Sequence, residues 1–483
     1  MPNKYISTFN INRESVSVRD SGRDQPNGVP VLDSFGKLPL RYLPASYVNN
    51  LKTSPDDPLQ DNVIDWITKQ LYEASNIGLD LTPRALLSSS STGINLIRLV
   101  YGNGVWLCVI SDTSGSTFKY ITYRSIDGVH WLNVSETSNP IDIVYVPDWR
   151  LFVKVVGDSS GVYLQKSVDA DEWTTALDSQ TLNSDGDFVY KRLVAGNDFI
   201  VLYYKDKTEP DLYKLLFSKD LSSFNEIGFP TAQHALFDED SYVYKTKNYV
   251  LITCSILIDP STLGSGVAYI SDASLLSWAQ NPSSPAIPVL TYSIKGGLLR
   301  GSSTSSDIIL ATRTHSDSSR DYDLVAIDLP TNTGTDISSS VFSASGVDDF
   351  TNRGAIVGAT SNSNSLVFQA GAYLSGWPSS VLGKVTRNTD GTFSVSCIRT
   401  STYAISTIGC FVKTKDKIWW YGDGNRYQSA DDGDTFESPA QIGLAVNDAL
   451  YANNFILFEG VIESNNNVIL ATSGNPVWVP QLT

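Results

Sequence analysis

One unit recurs along this chain and constrains it more than any other feature. It is a short polar turn followed by a strand that is apolar or aromatic at consecutive positions. The unit appears as Tyr101-Gly-Asn-Gly-Val-Trp-Leu-Cys-Val, then Val146-Pro-Asp-Trp-Arg-Leu-Phe-Val, then Ala195-Gly-Asn-Asp-Phe-Ile-Val-Leu. It continues at Lys245-Thr-Lys-Asn-Tyr-Val-Leu-Ile, Thr304-Ser-Ser-Asp-Ile-Ile-Leu-Ala and Asn362-Ser-Asn-Ser-Leu-Val-Phe. Lys413-Thr-Lys-Asp-Lys-Ile-Trp-Trp and Tyr451-Ala-Asn-Asn-Phe-Ile-Leu-Phe complete the series. A sandwich strand with one buried face alternates apolar and polar residues. Phe199-Ile-Val-Leu-Tyr-Tyr and Asn248-Tyr-Val-Leu-Ile do not alternate, so both of their faces are expected to meet other sheets.

The intervals are roughly 40 to 60 residues, the length of one four-stranded blade in a radial repeat. Radial closure also limits exposed sheet edges. The expectation is a mainly β chain whose residues 94–483 form a β-propeller. Eight units can be counted; seven is the alternative, because the spacing shrinks near the end and widens around residues 285–345.

A second landmark falls roughly 20 to 25 residues after most of these turns, where a blade's third hairpin belongs. Ser125-Ile-Asp127-Gly128-Val-His-Trp131 is followed by Ser167-Val-Asp169-Ala-Asp-Glu-Trp173 and Ser218-Lys-Asp220-Leu-Ser-Ser-Phe224. Ser429-Ala-Asp431-Asp-Gly433-Asp-Thr-Phe436 carries the full Ser-x-Asp-x-Gly-x-x-aromatic pattern. Ser271-Asp272 with Trp278, and Asp390-Gly391 with Phe393, are eroded versions. An Asp carboxylate in such a turn accepts backbone N–H bonds, Gly permits positive φ, and the aromatic is free to insert between sheets. Each element stabilises a hairpin and none supplies chemistry.

The pattern resembles the Asp box of sialidase-type propellers, across most of residues 94–483. That resemblance raises glycosidase activity as a hypothesis. Sialidases use an arginine cluster, a Tyr–Glu pair, a further acid and an Arg-Ile-Pro motif before the blades. No Arg-Ile-Pro occurs here, and Arg98, Arg124, Arg192, Arg300, Arg313 and Arg353 lack matching context. Paired carboxylates for glycoside hydrolysis must flank a cleft, and Asp349 and Glu459 have no stronger claim than other acids. The chain is therefore expected to be non-catalytic.

Metal and cofactor signals are weak. Asp185-Gly-Asp187 and Asp431-Asp-Gly-Asp434 lack the ligand alternation and distal Glu of a calcium loop, so solvated turns are expected. Cys108, Cys254, Cys397 and Cys410 have no CxxC spacing, and His130, His234 and His315 lie far apart. No metal and no cofactor are expected. Trp419-Trp420-Tyr421 reads as packing between blades rather than a sugar platform. A net charge of −16 repels polyanions, so nucleic acid is not an expected partner.

The first 93 residues differ. Residues 1–57 are rich in Pro, Asn and Asp with small apolar clusters, and read as an extended anchoring or oligomerisation arm. Residues 58–93 read as a helix and linker. Asp57 can cap, Pro58 suits the first helical position, and Leu59, Val63, Trp66, Ile67, Leu71 and Ala74 form one apolar stripe before Asn76-Ile77-Gly78. The chain opens without an apolar signal region and has no stretch of the roughly 20 apolar residues a membrane span needs. Synthesis in a host cytoplasm is expected, without a membrane span.

Within the arm, Gly28-Val-Pro-Val-Leu32-Asp33-Ser-Phe-Gly36-Lys37-Leu38-Pro39, followed by Leu43-Pro44, resembles a segment of bacteriophage tail fibres and related virion proteins. Phe35 and Arg41-Tyr42 depart from the small polar residues usual there. The resemblance implies a homotrimer, attached through its N-terminal arm to other virion tail or appendage proteins. Its distal ring would bind a host surface glycan or protein, or decorate the particle. A virion-mounted glycan depolymerase or sialidase-like glycosidase is the alternative.

Overall fold

A computed structural model of the protein describes residues 8–11, 14–17 and 84–89 and most of 94–473. Its longer breaks fall at 178–187, 227–234, 237–242, 281–288, 291–306, 315–321, 351–356 and 402–409. Within the expected arm, Thr8–Ile11 and Glu14–Ser17 pair as an antiparallel hairpin. The attachment motif at Leu32, Asp33, Gly36, Lys37, Leu38, Pro39, Leu43 and Pro44 lies outside the described residues, as does the expected helix from residue 58.

The other described residues form a β-propeller of eight antiparallel sheets. Blade 1 runs outward through Ile94–Gly102, Val105–Asp112, Lys119–Ser125 and Leu132–Thr137. Blade 2 follows with Ile141–Val146, Leu151–Asp158, Gly161–Ser167 and Thr174–Leu177. Blade 3 comprises Phe188–Ala195, Ile200–Asp206, Leu212–Ser218 and Asn225–Glu226. In blade 4, Ala235–Leu236 and Val243–Lys245 share the inner position beside Tyr249–Asp259, with Thr262–Ser271 and Val289–Leu290 outside.

Blade 5 shows Ile308–Thr314, Tyr322–Asp328 and Thr333–Asp336. Blade 6 has a divided inner strand, Asp349–Phe350 and Val357–Ala359, then Ser365–Leu374, Trp377–Arg387 and Phe393–Ser401. Blade 7 is Cys410–Lys413, Ile418–Gly422, Asn425–Ser429 and Ala440–Gln441. In blade 8, Leu444–Ala452, Phe455–Ile462 and Val468–Ser473 are completed by Arg84–Ser89 from before blade 1. The ring thus closes by pairing a strand from before blade 1 with Val468–Ser473 of blade 8, and it begins at residue 84 rather than at the expected 94. Arg84–Ser89 was hidden in the linker because Arg-Ala-Leu-Leu-Ser-Ser is too short and too weakly patterned to read as a strand.

Inner strands lie side by side from blade 1 to blade 4, from blade 6 to blade 8, and from blade 8 back to blade 1. The apolar cores sit between blades and not within them. Leu107, Val109, Ile143 and Phe152 fill the seam between blades 1 and 2, whereas Val153, Val155, Leu202 and Leu216 fill that between blades 2 and 3. Consecutive residues Phe152 and Val153 therefore serve opposite seams, which explains the unbroken apolar runs. Each such side chain, fully buried, contributes roughly 1.5–3 kcal/mol. Trp419-Trp420-Tyr421 follows the same rule. Trp419 and Tyr421 face blade 8, Trp420 faces blade 6, and all three are buried. Cys108 and Cys410 are buried, and Cys397 is half-buried.

Candidate functional site

Antiparallel connectivity sorts the loops. Turns joining first to second and third to fourth strands share one end of the ring, and the Ser/Asp turns all lie there. Their geometry repeats closely. The Ser125 hydroxyl accepts the Gly128 N–H at 2.7 Å, Ser167 that of Ala170 at 2.8 Å, and Ser218 that of Leu221 at 2.9 Å. Ser429 does the same for Gly433 at 2.7 Å, one residue further on. Asp169 Oδ1 accepts the N–H groups of Asp171 and Glu172, and Asp220 Oδ1 those of Ser222 and Ser223. Asp431 Oδ1 takes the Thr435 N–H at 2.9 Å. Asp127 lies outside the described residues.

These bonds leave an electrostatic signature. Burial raises the Asp169 and Asp220 carboxyls, but the converging N–H and hydroxyl donors outweigh it and hold both below the usual value. The Thr435 hydroxyl and N–H hold Asp431 at about 2. The closing aromatics Trp131, Trp173, Phe224 and Phe436 each pack into the seam with the preceding blade. Polar links reinforce the contact: Arg124 of blade 1 donates to Asp169 O of blade 2, and Lys384 of blade 6 pairs with Asp434 of blade 7.

Two features depart from the sequence reading. Left-handed backbone at the turn does not demand glycine: Gly128 has φ +75°, but Ala170 and Leu221 hold φ +60° and +61° at the same position. Both are buried against the preceding blade. In blade 4 the turn is not an eroded box but a helix, Asp272–Gln280. Ser271 still accepts the N–H three residues on, from Ser274, so the box serine has become a helix N-cap. In blade 6, Asp390 Oδ1 accepts the Thr392 N–H and Gly391 has φ +84°.

The inner strands carry a second constellation. Arg98, Asp142 and Arg192 stand four residues before the turn-closing positions Gly102, Val146 and Gly196, in one register on blades 1 to 3. Arg98 Nε and Nη2 grip Asp142 Oδ1 and Oδ2 at 2.8 and 2.6 Å. Asp142 Oδ1 also accepts the Ile143 N–H, and Oδ2 the Leu193 N–H. Arg98 Nη2 continues to Leu193 O at 2.9 Å, so one ion pair ties three blades. Asp142 is fully buried and takes four donors, which leaves it no lone pair for acid, base or nucleophile work. The sequence reading missed Asp142; its signal was a single charge inside Ile141-Asp-Ile-Val-Tyr-Val.

The other candidates scatter. Asp349 Oδ1 accepts the Tyr322 and Phe350 N–H groups, a structural role. Arg300 and Arg353, and the side chains of Arg313 and Glu459, lie outside the described residues. Among the described residues, no group of three His, Cys, Asp or Glu is placed to hold a metal, and no helix is long and apolar enough to cross a membrane.

No protein-family model matches the chain, and no curated protein matches it. Solved structures similar to it include the β-propeller domain of the Trilobed protease from Pyrococcus furiosus, at 7% identity and TM-score 0.37, covering 73% of this chain and 96% of that one. BamB from Moraxella catarrhalis is 12% identical with TM-score 0.37, covering 80% and 97%. The polysaccharide lyase Uly1 is 11% identical with TM-score 0.41, covering 78% and 89%. A fold does not by itself decide between catalysis and binding, so the expected lack of catalysis does not follow from the ring.

Proposed function

We propose that the chain is a structural and binding protein of a phage virion, displayed on a tail or tail appendage through residues 1–57. The supporting observation is the saturation of Asp142. Asp142, a fully buried carboxylate on an inner strand, is wholly engaged in tying blades together, and the Ser/Asp turns are hairpin fasteners. The fibre-like run Leu32-Asp33-Ser-Phe-Gly36-Lys37-Leu38-Pro39 supplies the attachment half of the reading. The ring then offers its loops to a host surface glycan or protein.

Purified protein incubated with host capsule or lipopolysaccharide is expected to bind without releasing oligosaccharide. Deleting residues 1–57 is expected to abolish incorporation into particles and the trimer. Unchanged incorporation together with monomeric sedimentation would refute the virion reading.

The second reading is a virion-mounted glycan depolymerase. Arg192 favours it: half-buried on the inner strand of blade 3, it has no carboxylate partner among the described residues. Such a cation suits an acidic sugar. Oligosaccharide release that one Asp or Glu substitution abolishes would decide for the enzyme.

A further inference from the structure

Lys154 lies mid-strand in blade 2, within Leu151-Phe-Val-Lys-Val-Val, and is 8% exposed. Its register partners are Ile143 and Gln165, and Ile143 and Phe152 belong to the seam with blade 1. Lys154 is therefore directed into that seam. Its ammonium sits 4.2 Å from the centre of the Trp173 ring, the aromatic that closes the blade 2 turn.

Among the described residues, the groups facing it offer no countercharge. The third strand of blade 1 turns Tyr120, Thr122 and Arg124 to this side, in register with Ser111, Val109 and Leu107. Arg124 is itself a cation and is spent on Asp169 O. Burial raises the Tyr120 phenol, which stays neutral. The Thr122 hydroxyl is buried and has no hydrogen-bond partner among the described residues. Other lysines are served differently: Lys119 pairs with Glu136, Lys245 with Asp272 and Lys384 with Asp434. Lys154 makes no ion pair among the described residues. Desolvation without a carboxylate disfavours the ammonium, and burial brings the Lys154 amine down to about 8.

We propose that Lys154 is a site of preferential N-acylation by small activated acyl donors. A desolvated lysine is a stronger nucleophile at neutral pH because more of it carries a free lone pair. In the step, the neutral Nζ attacks the acyl carbon and a C–N bond forms. The bond from carbon to the leaving oxygen breaks, and that oxygen departs with the electron pair. One N–H proton passes to solvent base. The product is a neutral amide over Trp173, so the modification removes a buried charge that no carboxylate pairs among the described residues. The proposal does not depend on what the ring displays.

The test uses the full chain and acetyl phosphate at pH 7.5, with occupancy at each lysine read by peptide mass spectrometry. Lys154 is expected to be acetylated about tenfold faster than Lys119, whose partner Glu136 raises its pKa. At pH 9.5 the ratio is expected to shrink, and in urea to vanish. K154R is expected to leave the rates at the other lysines unchanged. Occupancy at Lys154 equal to or below that at Lys119 in the folded protein would overturn the proposal. So would a preference that persists in urea, since it would then come from local sequence and not from the seam.

Discussion

The Leu221 N–H donates to the Ser218 hydroxyl at 2.9 Å, and this bond holds a leucine in left-handed backbone at φ +61°. Ser218 is itself wholly buried. The turn is fastened from inside, by a side chain that water does not reach. S218A leaves a buried N–H without a partner, which costs about 1–3 kcal/mol. Chemical denaturation should report that loss, with S167A and S429A behaving alike.

Leu221 and Ala170 share a backbone position but differ in what they bury. Left-handed φ costs a non-glycine residue roughly 1–2 kcal/mol. A170G relieves that strain, gives up one buried methyl worth about 0.8 kcal/mol and loosens the unfolded chain, so stability should change by less than about 1 kcal/mol. L221G forfeits a whole buried side chain, for which truncation costs about 2–5 kcal/mol, and should be clearly destabilising. Denaturation midpoints of the two variants separate these outcomes.

Arg98 and Asp142 tie blades 1, 2 and 3. Removing one partner strands a buried charge, so D142A should lose about 3–5 kcal/mol. The double variant R98M/D142L should regain much of that loss, because an apolar pair carries no desolvation cost. Failure of the double variant to recover would assign the penalty to Leu193 and Ile143, whose N–H groups also bond Asp142.

Acid should weaken the ring through the turn carboxylates. Asp431, Asp169 and Asp220 lie below their unfolded values. Their contribution is complete above the unfolded carboxyl pKa of about 4 and is lost as pH falls toward the folded values, about 2 for Asp431. D431N should flatten the thermal midpoint between pH 4 and pH 2 while lowering it at pH 7. Lys154 acts in the opposite range. Its folded pKa lies below its unfolded one, so stability should rise between about pH 8 and pH 10.5. K154M should remove that rise and melt higher than the parent at pH 7.

The repeating turn and strand were legible because packing on both faces writes unbroken apolar runs such as Phe199-Ile-Val-Leu-Tyr-Tyr into the sequence. Ser167, Ser218 and Ser429 stood out because a hairpin turn satisfies its own N–H groups locally, so its chemistry is contiguous in sequence. Asp142 and Lys154 did not. Asp142 meets Arg98 across a seam, 44 residues away, Lys154 meets Trp173 from another strand of its own blade, and only a lone charge in an apolar strand marks each. Leu221 was opaque for another reason: tertiary burial holds a bulky residue where local propensity favours glycine. Ser271 carried the right residue, but its N–H partner Ser274 lies in the first turn of a helix, and Trp278 offered only a misleading spacing.

The account rests on a ring closed by Arg84–Ser89 pairing with Val468–Ser473. Two truncations test this, one starting at residue 84 and the other at residue 90, each followed by thermal unfolding and sedimentation. The first should keep a single cooperative transition near that of the full chain. The second should melt well below it or aggregate, because blade 8 then exposes the edge of Val468–Ser473. Indistinguishable unfolding of the two would show that the strand does not close the ring.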